Sequence, residues 1–152
     1  MPRLLKRHMR RLLNLWPPFL GAGIRVKRLQ SDWKQIDVEL NLHFWNANFV
    51  GTHYGGSLYS MTDPFYMLML IENLGRDYIV WDKSANIRFR KPGKGRVVAR
   101  FRLSDEQIEA IRRDLQTQPK IEPTFLVEVT DESGAVIAEV QKVLHVRKKN
   151  SS

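Results

Sequence analysis

Residues 58–74 are apolar on every side, so a helix there has no wet face and must be enclosed by protein rather than lie at a surface. Gly55 and Gly56 precede the segment, and Asn73, Leu74 and Gly75 mark its end. The material that can enclose it is visible on both sides. Residues 35–42 alternate, with Ile36, Val38, Leu40 and Leu42 on one face and Asp37, Glu39 and Asn41 on the other, as in a half-buried strand. Residues 24–29 read as a shorter strand before it. Beyond the helix, Ala85, Ile87 and Phe89 alternate with Asn86, Arg88 and Arg90, and Val97, Ala99, Phe101 and Leu103 repeat the period after a Pro92-Gly93 turn. Ser104 and Gln107 predict a capping box for a helix carrying Ile108, Ile111 and Leu115. Phe125, Val127 and Val129 then lead into a turn at 131–134, and residues 135–146 return as the second arm of a hairpin. Two strands, a helix and four more strands with one helical insert predict an α+β fold, an antiparallel sheet around one helix.

A chain of 152 residues, 43% of them hydrophobic, can bury one real core, and a single domain over residues 21–147 is expected. Residues 1–20 read as a basic amphipathic helix and 148–152 as a disordered tail. There is no cysteine, so disulfides, thiolate metal sites and cysteine nucleophiles are excluded, and a cytoplasmic location is the expectation. The longest apolar run, residues 65–71, is far short of the ~20 residues that cross a bilayer. The first residues also lack an apolar signal core.

Lys and Arg number 25 against 16 Asp and Glu, a net charge of +9, and no acid precedes Asp32. Such a field favours anionic partners. In residues 3–16, Leu4, Leu5, Met9, Leu12, Leu13 and Trp16 recur at helical spacing among Arg3, Lys6, Arg7, Arg10 and Arg11. Two uses are open to this stripe: docking on the body or a second subunit, and peripheral contact with an anionic membrane. His8, His43, His53 and His145 show no metal-like pairing, and no metal site is expected. Nucleic-acid binding has only charge behind it and is not expected.

Two positions carry chemistry. Paired glycines at a helix mouth leave the first N–H groups free and admit close approach, although Gly-Gly also serves as a plain tight turn. Asp63, about two turns into an apolar helix, is costly unless hydrogen-bonded or employed. Because Pro64 follows it, Asp63 also has the look of an N-cap before a helix-starting proline. Arg88, Arg90, Lys91, Lys94 and Arg96 form a cationic run that suits phosphates as well as a solvated strand face. Met61, Met67 and Met69, with Phe65 and Tyr66, suit an acyl chain or ordinary core filling. Asp82 and Lys83 read most simply as a mutual ion pair.

Taken together, Asn48-Phe-Val-Gly51-Thr-His53-Tyr54-Gly55-Gly56, followed by Asp63, resembles the Asn-x-x-Gly-x-x-His-Gly-Gly…Asp signature of hotdog-fold acyl-CoA thioesterases of the phenylacetate-pathway type. The signature histidine falls on Tyr54; His53, one residue early, does not inherit its role. The wording of residues 55–64 and 78–85 is more similar to an uncharacterised thioesterase-like branch of the same superfamily. The resemblance spans about residues 25–146. It implies the hotdog fold, a curved antiparallel sheet wrapped around a long central helix. It implies hydrolysis of an acyl-CoA or acyl-carrier-protein thioester, with coenzyme A entering only as part of the substrate and no cofactor. In that scheme Asp63 is nucleophile or general base, the Gly55 and Gly56 amides form an oxyanion hole, Asn48 positions water or substrate, and Tyr54 donates to the carbonyl oxygen. Arg88, Arg90, Lys91 and Lys94 then face the nucleotide, with Asp82 nearby. A homodimer is implied, or a tetramer, each site shared between one subunit's helix start and the other's carboxylate. The alternative is a non-catalytic module holding acyl-CoA or lipid in the same groove.

Overall fold

The structure, a computed structural model, describes residues 3–149, with side chains from His8 onward. In chain order the elements are α1 (Arg3–Leu15), α2 (Pro17–Ala22), β1 (Ile24–Leu29), β2 (Gln35–Asn41), α3 (Gly55–Ser60), α4 (Phe65–Leu74), β3 (Tyr78–Phe89), β4 (Arg96–Arg102), α5 (Asp105–Thr117), β5 (Lys120–Ile121), β6 (Thr124–Asp131) and β7 (Val136–Lys148). The strands form one antiparallel sheet in the order β1-β2-β4-β6-β7-β3, with the two-residue β5 paired to the end of β7. The sheet is curved and does not close, so β3 is left as an outer edge. This is the expected α+β hotdog architecture.

The alternation read in the sequence decides which face is dry. Ile36, Val38 and Leu40 of β2, Val97, Ala99 and Phe101 of β4, and Val127 and Val129 of β6 are all buried. Against them pack Leu58, Met61, Phe65, Met69, Leu70 and Leu74. The Phe65 ring tilts onto Phe101 at 4.9 Å between centroids, and Tyr66 stacks on Phe125 at 4.4 Å.

The central helical segment is interrupted once. α3 ends at Ser60 and α4 begins at Phe65. Pro64 is the cause: it has no N–H, and its ring collides with the carbonyl four residues back. The chain tightens through Thr62 N–H donating to Tyr59 O (2.8 Å) and Asp63 N–H to Ser60 O (3.2 Å), while the Thr62 hydroxyl donates to Tyr59 O (2.7 Å). Of the two readings open for residues 58–74, one continuous helix or two broken at Asp63-Pro64, the structure has the second, and Asp63 sits in the turn between the helices.

At the amino end the amphipathic helix read over residues 3–16 stops before the Pro17-Pro18 pair, and a short second helix, α2, follows. Trp16 separates them and Pro17 opens α2, where a missing N–H costs nothing. Met9, Leu13 and Phe19 join the main core, and the Asn14 amide brackets Val26, donating to its carbonyl (3.2 Å) and accepting from its N–H (2.7 Å). For these residues the stripe docks on the body, while Leu12, Leu15 and Trp16 stay exposed. The side chains of residues 1–7, which carry part of the basic face, lie outside the described residues. At the other end Lys148, expected in the tail, belongs to β7: it pairs with Tyr78, and Lys149 N–H donates to Asp77 O (2.8 Å). Residues 150–152 lie outside the described residues.

Candidate functional site

The loop that leads into α3 is held by asparagines. Asn46 Nδ2 donates to Ala22 O (3.0 Å) and Asn41 O (2.9 Å) while Oδ1 accepts from His43 N–H (2.7 Å). Asn48 does the same for the next turn: Oδ1 accepts from Val50 N–H (3.1 Å) and Thr52 N–H (3.0 Å), and Nδ2 donates to the Thr52 hydroxyl (2.8 Å). Its amide is thus already engaged within the loop.

At the start of α3, Tyr54 O accepts from Ser57 N–H (3.0 Å) and Leu58 N–H (3.1 Å), and no acceptor for Gly55 or Gly56 N–H is found among the described residues. A Cβ on Gly55 would come within 2.9 Å of the Phe89 ring, and one on Gly56 within 2.4 Å of the Tyr54 ring. Both rings are themselves exposed, at 56% and 59%.

A cavity of about 350 Å³ opens beside this helix start, lined by Asn48, Thr52, His53, Gly55, Leu58 and Phe89 together with the Arg90–Gly93 backbone bend. His53 is buried. Its Nε2 lies 2.9 Å from Gly95 O and takes the donor role, which leaves Nδ1 unpartnered at the cavity wall. Burial holds its pKa below the ordinary 6.5, against the opposing pull of the Gly95 carbonyl. A depressed folded-state value means that its contribution to stability is complete above pH 6.5 and is lost as pH falls through the lower folded value. His53→Gln keeps a donor for Gly95 and cannot charge, so denaturant unfolding of the variant should lose less stability than wild type on acidification below pH 6.5.

The second feature is a charge cluster. Lys142 of β7 is fully buried, 0% exposed, and its Nζ donates to Asp63 Oδ1 (3.2 Å), lies 3.1 Å from Asp82 Oδ1 and sits 5.4 Å from the Tyr59 ring centre. Asp82 Oδ1 makes this contact without an aligned hydrogen bond. Burial works to strip the proton from Lys142, but Asp82 and Asp63 together outweigh it and raise its pKa, so the ammonium stays charged. Asp82 is pushed up, by burial first and by Asp63 in addition, against the pull of Lys142. One cation thus serves two carboxylates.

These distances settle where the expected residues lie. Asp63 is not a cap: Pro64 occupies the N-cap position of α4, no side chain caps it, and the Asp63 carboxylate, 46% exposed, turns to Lys142 instead. The expected Asp82–Lys83 pair does not form, because successive strand residues face opposite ways and β3 bulges between Asp82 and Ser84. Lys83 bonds Glu122 (2.6 Å). Asn48, Gly55, Arg90 and Lys91 share the cavity, whereas Asp63, Asp82, Tyr54 and Gly56 do not line it. Arg90 pairs with Glu139 (2.6 Å) and Lys91 with Asp131 (2.9 Å). Arg88 lines a different groove with Asn86, Leu126 and Gln141, and Lys94 lies exposed on the turn. Lys142 and the burial of His53 went unread. For Lys142 a signal existed: in the alternation Ala138, Val140, Lys142, Leu144, Val146, the lysine falls in the inward phase.

The model of a domain of unknown function, DUF4442, matches residues 5–146. The chain belongs to the DUF4442 family. No curated protein matches its sequence. Among solved structures it is similar to a Pseudomonas aeruginosa protein of unknown function described as a probable thioesterase, at 24% identity and a TM-score of 0.80, over 98% of this chain and 97% of that one. It is also similar to a thioesterase of Haemophilus influenzae (14% identity, TM-score 0.67, 93% and 90% covered) and to a mutant thioesterase of Pseudomonas aeruginosa (11%, 0.66, 93% and 94%). At these identities the likeness establishes a shared fold, so the DUF4442 chain has the hotdog architecture of thioesterases. Its chemistry must be argued from its own residues.

Proposed function

We propose that this protein is a thioesterase that hydrolyses an acyl-CoA or acyl-carrier-protein thioester at a site completed by a second copy of the chain. The observation that carries this reading is the Asp63 carboxylate, half exposed at the break in the central helix and fixed by a buried lysine. A carboxylate so placed removes a proton from water as that water's oxygen attacks the thioester carbon, or attacks the carbon itself to give an anhydride that water then opens. Either route ends in a carboxylic acid and a free thiol.

Support for the second copy comes from β3, a 12-residue outer edge with Trp81 and Phe89 exposed and one row of backbone groups unpaired. It carries Asp82 of the charge cluster at its fifth position and Phe89 of the cavity at its last. When two such edges pair antiparallel about the strand's middle, residue 89 of one copy stands opposite residue 78 of the other, and the cavity of each faces the strand end that leads to the partner's charge cluster. Gly55 and Gly56 amides then supply the oxyanion donors, once the exposed Phe89 and Tyr54 rings make room, with Tyr54 available as a further donor. Arg90 and Lys91, at the cavity wall, reach a phosphate by exchanging their partners Glu139 and Asp131 for it.

Purified protein offered short, long and aromatic acyl-CoAs should release free thiol from at least one class. Binding of acyl-CoA with no release from any of them would favour the non-catalytic module.

A further inference from the structure

We propose that Lys142 is a positioning residue: clamped between Asp82 and Asp63 inside the core, it fixes the direction in which the Asp63 carboxylate points from the helix break. Packing does not call for a lysine here. Its neighbours in the inward phase of β7 are Val140 and Leu144, both 0% exposed, and apolar or neutral side chains in place of a whole buried ion pair are often as stable or more so. Lysine is almost never fully buried unless paired.

The pairing is specific. The ammonium of β7 is held by Asp82 of β3 and faces the Tyr59 ring of α3, so groups from two other elements set its place before Asp63 is considered. Asp63, by contrast, receives only one side-chain hydrogen bond among the described residues, the one from Lys142. It caps nothing, and its side chain is 46% exposed. With the ammonium, Oδ1 is held on Lys142; without it, no other side chain among the described residues holds the carboxylate in one rotamer. Asp82 is the second half of the device, since it keeps Lys142 from following Asp63 outward.

The consequence for turnover rests on the thioesterase reading; the consequence for geometry does not. The test uses Lys142→Met, Lys142→Arg and the double variant Lys142→Met/Asp82→Asn, which removes the buried carboxylate that Met alone would strand and so keeps a folded protein in hand. Crystal structures of wild type and variants report the Asp63 rotamer, and steady-state thiol release reports kcat and KM. In the Met variants Asp63 should lose its single orientation while the backbone of residues 60–65 stays in place. Their kcat should fall about a hundredfold, as misplacement of a reacting group by an ångström does, with KM unchanged. Arginine should restore part of kcat, and adding Lys142→Met to Asp63→Asn should slow the enzyme no further. An Asp63 that keeps its orientation without Lys142, a loss confined to KM, or losses that add in full would each overturn the proposal. Should wild type turn over no thioester, the thioesterase reading falls, and the Asp63 rotamer in the Met variants still decides the positioning role.

Discussion

Replacing Asp63 by Asn is expected to lower thioester turnover by about a thousandfold, in the middle of the range that a positioned general base contributes, while ligand affinity stays nearly intact. Asparagine preserves volume and can still accept from Lys142, but it can neither take a proton from water nor attack a carbonyl carbon. Lys142 keeps Asp82 as its counter-charge in the variant, so the fold survives the exchange. The measurement is kcat by thiol release beside calorimetric binding of a non-hydrolysable acyl-CoA analogue. A variant that keeps wild-type kcat removes Asp63 from the chemistry. The rival role, a helix cap worth about 1 kcal/mol, predicts lost stability with activity preserved. That role has no geometric support, because Pro64 holds the cap position and the carboxylate points to β7.

The second large effect is on stability. Lys142→Ala should cost about 3–5 kcal/mol, because it leaves Asp82 partly enclosed without its cation and opens a void between Val140 and Leu144. Urea unfolding would show it as a lower midpoint at unchanged slope. Adding Asp82→Asn to a lysine replacement of matched size should recover much of the loss, since a neutral, filled site no longer strands a charge. The pH dependence follows from the direction of the Lys142 shift. Its folded value is raised above the ordinary 10.5, so its stabilisation is complete below pH 10.5 and fades as pH climbs through the higher folded value. An alkaline loss of the same size in the Lys142→Met protein would show that this lysine is not its source.

The strands were legible because period-two alternation records which face is dry. The reading over 35–42 matches β2 to within a residue, and the residues expected inward in β4 and β6 are buried. The Ser104–Gln107 box forms as read, with both hydrogen bonds present. These are local signals, and local chemistry suffices for them. The helix break was legible as one of two readings, because Pro64 cannot continue a helix while the apolar run on both sides of it argues for one. The charge cluster was not legible as a cluster. Lys142 and Asp63 are 79 positions apart, and only the packing of β7 under the α3–α4 turn brings them together. Adjacency misled for Asp82 and Lys83, neighbours in sequence that face opposite sides of a strand. His53 was discounted because a lone histidine carries no pattern, and its burial arises from the Gly93–Gly95 bend, to which it bonds through both backbone and ring.

The most direct test of the shared site is a crystal structure with an acyl-CoA analogue whose thioester sulfur is replaced by methylene. Two copies should join along β3, with the analogue's carbonyl oxygen about 3 Å from the Gly55 and Gly56 N–H groups of one copy. Asp63 of the other copy should face the carbonyl carbon, its inner oxygen still on Lys142. An analogue bound away from the glycine pair, or an Asp63 turned to bulk solvent with no acyl group before it, would contradict the account.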